Sequence, residues 1–317
     1  MLTAPIGNRS RAHRLDEDAP GPIVLATDGS EATRSAVEHA AALAVRGGAQ
    51  LYVFHVESEW WSRSRGVAHP GVIAALEQAQ ISADEEAASL ERPPGSRLIV
   101  TLARAQPGRA AHEIAEFARE KDADLIVIGA HHRGPFRANV AEELAREALC
   151  PILVVPRSAS RAPGTPLARR AIGLVDGTEA SFAAVRAAAT LLGPVEVDAV
   201  HVTPRWRGSS SRFDNPRTAH DRARIQDGLG RILEQDGKRL GTFFTTGNRP
   251  AHLLEEIRRR GSYDVICCGG DMEGSREHIG ETALRAAPGP VLLVPAGVAG
   301  RVLSARPRGV NSQHPGG

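Results

Sequence analysis

The feature that most constrains this chain is an internal repeat. Ile23-Val-Leu-Ala-Thr-Asp28-Gly-Ser30 recurs as Ala171-Ile-Gly-Leu-Val-Asp176-Gly-Thr178, and Leu51-Tyr-Val-Phe-His55-Val56 recurs as a run ending His201-Val202. Arg109-Ala-Ala-His112 returns as Arg249-Pro-Ala-His252, Asp124-Leu-Ile-Val-Ile-Gly129 as Asp264-Val-Ile-Cys-Cys-Gly269, and Pro151-Ile-Leu-Val-Val-Pro156 as Pro290-Val-Leu-Leu-Val-Pro295. Five blocks in one order, with an offset that shrinks slowly along the chain, indicate a duplicated domain. Two long units, rather than many short ones, exclude a solenoid. The repeat predicts a first domain over 21–157, a linker over 158–168 rich in Ser, Ala, Pro and Gly, and a second domain over 169–296. Residues 1–20 and 297–317 carry no periodic apolar face, and both are expected to be disordered tails.

Within the first unit, Ile23 to Ala26 is an apolar run that leaves through Asp-Gly-Ser, the pattern of a buried strand ending in a turn. Apolar residues at Ala36, Val37, Ala40, Leu43 and Ala44 follow helical spacing and stop at Gly47-Gly48. Further strands are expected at Leu51 to Val56, Arg97 to Ala103, Leu125 to Ile128 and Ile152 to Val155. Helices are expected at Val72 to Leu90, from Pro107-Gly108 to Lys121, and at Val140 to Leu149. Strands of continuous Val, Ile and Leu alternating with helices predict a mostly parallel sheet covered on both faces. Ligands of such sheets bind at the carboxyl ends of the strands, where the strand order reverses. Asp28, Val56 and Gly129 lie at such ends in the first copy, and Asp176, Gly269 and Gly270 in the second.

Composition excludes several classes of function. The formal net charge is +2, so no global field favours nucleic acid or an anionic membrane surface. The longest apolar runs are far short of a membrane span, and residues 1–20 lack the apolar core of a secretory leader. Three cysteines, Cys150 and the adjacent Cys267 and Cys268, cannot form a disulfide framework, which fits a reducing cytoplasm. Neighbouring strand residues point to opposite faces, so Cys267 and Cys268 cannot chelate together, and no metal site is expected.

The ordered set of strand–Asp-Gly-Ser, strand–His-Val, Asp-Leu-Ile-Val-Ile-Gly and Cys-Pro-Ile-Leu-Val-Val-Pro, present twice, resembles the universal stress protein family, in a tandem two-domain member. The resemblance implies two doubly wound α/β domains, each with a five-stranded, mostly parallel sheet of the adenine nucleotide alpha hydrolase-like type. It also implies pairing of domains through their last strands. Here those are the apolar segments Pro151–Pro156 and Pro290–Pro295, which would be association hazards if left as open edges, so an intrachain pseudo-dimer is expected. A homodimer and an unidentified protein partner remain open.

Some members of the family bind ATP through Gly-x2-Gly-x9-Gly-Ser/Thr after the fourth strand, where glycines and a helix N-terminus admit backbone N–H groups to phosphate. The first copy starts with Gly129 but has His132 at the next glycine, then Gly134, and ends Ala138-Asn139-Val140. The second starts Gly269-Gly270 and ends Glu277-His278-Ile279. Both loops are several residues short and lack the closing Gly-Ser, and Glu277 would repel phosphate. The nucleotide-site candidates are Asp28, Val56, Gly129, His132, Gly134, Asn139, Asp176, Gly269 and Gly270. The alternative for Asp28 and Asp176 is a turn-forming and helix-capping role. A different anion held by His131, His132, Arg133 and Arg137 is a further reading of the first loop. His55, His201, His112 and His252 read more simply as packing residues than as ligands, and Trp60-Trp61 as a loosely assigned contact loop.

No nucleophile–base arrangement or P-loop lysine accompanies the glycines. The expectation is a stress-response regulatory or binding protein that is not an enzyme and lacks the family's ATP seat. The alternatives are an ATP-binding, slowly hydrolysing switch acting through the first domain, and a scaffold with empty clefts.

Overall fold

The computed structural model describes residues 21–56, 70–91, 100–105, 109–130, 140–193, 196–203, 216–247, 253, 255, 257, 259, 263–270, 283–284 and 287–304. The first half runs β1 (Ile23–Ala26), α1 (Arg34–Gly47), β2 (Leu51–Val56), α2 (Pro70–Ser89), β3 (Val100–Ala105), α3 (Ala110–Glu120), β4 (Leu125–Ala130), α4 (Val140–Glu147) and β5 (Ile152–Pro156). The second runs β6 (Ala171–Val175), α5 (Glu179–Ala187), β7 (Glu196–Thr203), α6 (Pro216–Gln235), β8 (Arg239–Gly247), β9 (Val265–Gly269), β10 (Val291–Val294) and α7 (Ala299–Ser304). α1 stops where Gly48 takes a left-handed conformation (φ +67°) and its N–H reaches back to the last turn. β3 runs two residues past the expected Ala103, pairing with the whole of β2 from Leu51↔Val100 to Val56↔Ala105, while residues 97–99 of the expected strand lie outside the described residues.

The ten strands of the described residues form one sheet in the order β3-β2-β1-β4-β5-β10-β9-β6-β7-β8. Within each half every pairing is parallel. At the centre β5 and β10 pair antiparallel, Ile152 opposite Leu293, Leu153 opposite Leu292 and Val154 opposite Val291. The second half therefore repeats the strand order of the first about an approximate two-fold axis at this seam. Because the seam is antiparallel, the carboxyl ends of the two sets of strands open on opposite edges of the sheet.

Alternation along the strands sorts the core into two layers. Leu25, Leu153, Leu292 and Cys267 face one layer with α1, α2, α5 and α6. Val24, Val154, Leu293 and Cys268 face the other with α3 and α4. Each layer crosses the seam without interruption, so burial there is shared by both halves.

Residues 297–304 depart from the disordered tail expected over 297–317. A 3-10 turn, Ala296–Val298, leads into α7, with Val298 and Ala299 buried. The Arg186 guanidinium on α5 holds this segment by donating to the Val302 carbonyl at 3.0 Å and to that of Leu303. A long-range partner thus orders a stretch whose own periodicity was too short to read. The expected tails at 1–20 and 305–317 lie outside the described residues.

Candidate functional site

The reversals of strand order fall between β1 and β4 and between β6 and β9. Asp28, Val56 and Gly129 are brought together at the ends of the adjacent strands β1, β2 and β4, and Asp176, Gly269 and Gly270 at the ends of β6 and β9. His132, Gly134 and Asn139 lie outside the described residues, as do Trp60-Trp61, His252 and both shortened loops.

In the first cleft the turn organises itself. Asp28 Oδ1 accepts the Ser30 N–H at 2.9 Å, and Thr27 Oγ1 accepts the Gly29 N–H at 3.0 Å while Gly29 sits at φ +75°. Thr33 Oγ1 donates to the Ser30 carbonyl (2.7 Å), so the hydrogen in its 3.1 Å contact with Thr27 comes from Thr27. His55 is buried with Nδ1 2.8 Å from the Thr27 carbonyl. A carbonyl only accepts, so Nδ1 carries the proton and the ring braces the end of β1. The N-terminus of α2 closes on this turn, since a Cβ at Gly71 would overlap the Gly29 carbonyl.

The second cleft repeats the device. Asp176 Oδ1 accepts from Thr178 N (3.0 Å) and Thr178 Oγ1 (2.7 Å), and Thr178 Oγ1 caps α5 by accepting the Ser181 N–H. Gly177 turns at φ +91° beneath Ile225 of α6. Gly269 is small because α5 approaches it. A Cβ there would lie 2.8 Å from backbone atoms of Ala180 and Ser181. Gly270 donates its N–H to the Val294 carbonyl at 2.7 Å. His201 differs from His55. Among the described residues its buried Nδ1 has no partner, nor does Oγ1 of the neighbouring Thr245. Burial pushes its pKa down, and Asp221 and Asp176 oppose that only in part.

The cysteines offer no activated thiol. Burial pushes Cys150 and Cys268 up to about 12 and raises Cys267 as well. Among the described residues no group of three or more His, Cys, Asp and Glu is arranged for a metal ion, and no helix is long and apolar enough to cross a membrane. His112 is exposed, with Nδ1 3.2 Å from Glu147.

Sequence reasoning missed one buried polar cluster. Glu86 on α2 is fully buried and accepts from Arg46 Nε (2.7 Å), Arg161 Nη1 (3.0 Å) and the Gly164 N–H (2.9 Å). Burial alone would raise its carboxyl, but the bonds from Arg161, Gly164 and Arg46 outweigh that and hold it below the usual range. The cluster pins the chain between the halves onto α1 and α2. A signal was present, since Glu86 continues the helical stripe of Val72, Ala75, Ala79 and Ala83. A charge on an apolar stripe asks for a distant partner. Arg186, set among the alanines of α5 and paired with Asp236 at 2.7 Å, carries the same signal.

The comparisons agree with this architecture. The family model described as universal stress protein family matches residues 21–156. A universal stress protein of Methanocaldococcus jannaschii is 30% identical over 159 residues, covering 45% of this chain and 86% of that protein. Another, of Mycolicibacterium smegmatis, is 31% identical over 158 residues, covering 47% of this chain but only 49% of that relative. Among solved structures, a universal stress protein of Archaeoglobus fulgidus superposes with a TM-score of 0.58 at 16% identity, over 86% of this chain and 96% of that one. A functionally unknown protein of Pseudomonas aeruginosa gives 0.57 at 15%, over 90% and 96%. At such identities the structural likeness speaks for the fold alone. The sequence matches place the chain in the universal stress protein family.

Proposed function

We propose that this chain is a cytoplasmic stress-response protein that works by binding a ligand or partner rather than by turnover, and that neither strand-end cleft seats ATP in the manner known for some members of its family. The observation that carries this reading is the state of the two cleft carboxylates. Asp28 and Asp176 each accept the N–H two residues on, and the glycine beside each is packed under a helix, α2 or α6. Those groups serve the turns. The trimmed glycine loops of the sequence and the buried, high-pKa thiols support the same reading.

Thermal unfolding with ATP, AMP and cyclic nucleotides, together with a phosphate-release assay, tests it. A nucleotide at a hundredfold excess over its Kd adds about 2.7 kcal/mol, a shift of several degrees. The expected result is no shift and no phosphate release. A saturable ATP shift that disappears in Asp28→Ala would replace this reading with that of an ATP-binding switch in the first half.

A further inference from the structure

Between the halves lies a cavity of about 800 Å³ whose walls include none of Asp28, Gly129, Asp176 and Gly269. Those walls are His39 of α1, the connecting chain between Ala159 and Arg169, Tyr263 and Asp264 before β9, and Pro288 to Pro290 before β10. The volume is that of a small-molecule site. We propose that this cavity binds a small uncharged molecule with a flat apolar body and an O–H or N–H group, which donates to Nε2 of His39.

His39 is the polar anchor. It is 6% exposed, and its Nδ1 lies 2.8 Å from the Ser35 carbonyl one turn back along α1. A carbonyl only accepts, so Nδ1 carries the proton and Nε2, on the far edge of the ring, bears a lone pair. Burial above all, with the Arg161 charge, pushes its pKa down against the Ser35 bond, so the ring is neutral at pH 7. Nε2 meets no donor among the described residues, and it is not one of the side-chain atoms sealed from solvent. Its lone pair therefore opens into the cavity that the ring lines. An acceptor left without a donor in a nearly buried ring is unfavourable, and a ligand O–H or N–H relieves it. Packing does not call for a histidine here. Counted from Asp28 and Asp176, its counterpart on α5 is Ala187, which is buried as well.

The charges of the wall stand in balanced sets. Arg161 donates Nη1 to Glu86 and Nη2 to the Thr165 carbonyl at 2.6 Å, and its backbone N–H donates to Glu38 at 3.1 Å. Glu86 also holds Arg46. Arg169 lies beside Asp264, which accepts the backbone N–H groups of Arg169 and Arg170 at 2.7 and 2.9 Å. A charged ligand would give up its hydration for a wall with no charge of its own to spare, whereas a neutral one avoids that penalty. Pro166, Leu167, Ile257 and Pro288 supply apolar surface for its body.

The test uses the full chain at pH 7.5 and four fluorescent probes of one shape: 2-naphthol, 2-methoxynaphthalene, which lacks the donor, 2-naphthoate and cationic 2-naphthylmethylamine. One 2-naphthol per chain should bind saturably, about threefold to tenfold tighter than the methyl ether, the worth of one hydrogen bond, and tighter still than either ion. His39→Phe, which keeps a ring but no acceptor, should bind the ether as the parent does and lose the preference for naphthol. Ala162→Trp, which fills the exposed mouth, should weaken both neutral probes severalfold with unchanged thermal unfolding, and it stands as the independent variant if His39→Phe does not fold. Absence of saturable binding, tighter binding of either ion, or equal affinity for naphthol and its ether in the parent would each overturn the proposal. So would a preference that survives in His39→Phe, or full binding by Ala162→Trp.

Discussion

Replacing Glu86 by Gln tests whether a buried carboxylate fastens the connecting chain to the first half. The substitution keeps the shape but removes the charge that two guanidinium groups share, and it turns an amide NH2 toward donors that need acceptors. The two arginines differ in their recourse. The Arg46 side chain is 29% exposed and can turn to water, whereas that of Arg161 is 9% exposed and cannot. Breaking a buried ion pair from one side costs about 3–5 kcal/mol, and Arg46's access to water favours the lower half of that range. For a chain of this size, at roughly 2 °C per kcal/mol, the melting temperature should fall by about 6–8 °C at pH 7. The pH dependence has a definite sign. The folded Glu86 carboxyl lies below its ordinary value, so its contribution is complete above the unfolded pKa and is lost as pH falls through the folded one. The gap between the parent and Glu86→Gln should therefore be full at pH 7 and close progressively below about pH 4.5. Denaturant titrations across this range provide the measurement. A variant within about 1 kcal/mol of the parent at pH 7, or a gap unchanged from pH 7 to pH 3, would refute the reasoning.

At the seam, Val154 is 4% exposed opposite Val291, so Val154→Asp should yield aggregated or unfolded chain by size exclusion and circular dichroism, and Val154→Ala a loss of about 2 kcal/mol. A soluble Val154→Asp chain with an unchanged spectrum would contradict the seam's role. Gly269→Ala should cost about 1–3 kcal/mol because its Cβ meets the α5 backbone, whereas Gly230→Ala, in open space on α6, should stabilise by about 0.5–1 kcal/mol. Chemical denaturation separates the two, and equal effects would be inconsistent with that packing. His39 and His201 have folded pKa values pushed down by burial, so the unfolded chain binds protons first and stability should decline as pH falls below about 6.5. Replacing both by Gln should flatten that decline between pH 7.5 and 5.5, and stability that rises on acidification in the parent would count against it.

The repeat, the strand runs and the Asp-Gly turns were legible in the sequence because each is written in near neighbours. A buried strand needs only its own apolar residues, and a turn such as Asp28-Gly29-Ser30 closes on itself within two residues. The apolar, proline-bounded last strands even announced that they required cover, and the β5–β10 pairing supplies it. Other features depend on residues far apart in the chain, and only the folded arrangement decides them. Glu86 meets Arg161 across 75 positions and Arg186 meets the Val302 carbonyl across 116, contacts that order the connector and α7. The antiparallel seam turns the two clefts to opposite edges and leaves a cavity beside the connector. Side-chain periodicity records which face of an element is buried, but not which distant group will lie against it. The partners of buried charges and the spaces between elements are therefore settled only when the chain has packed.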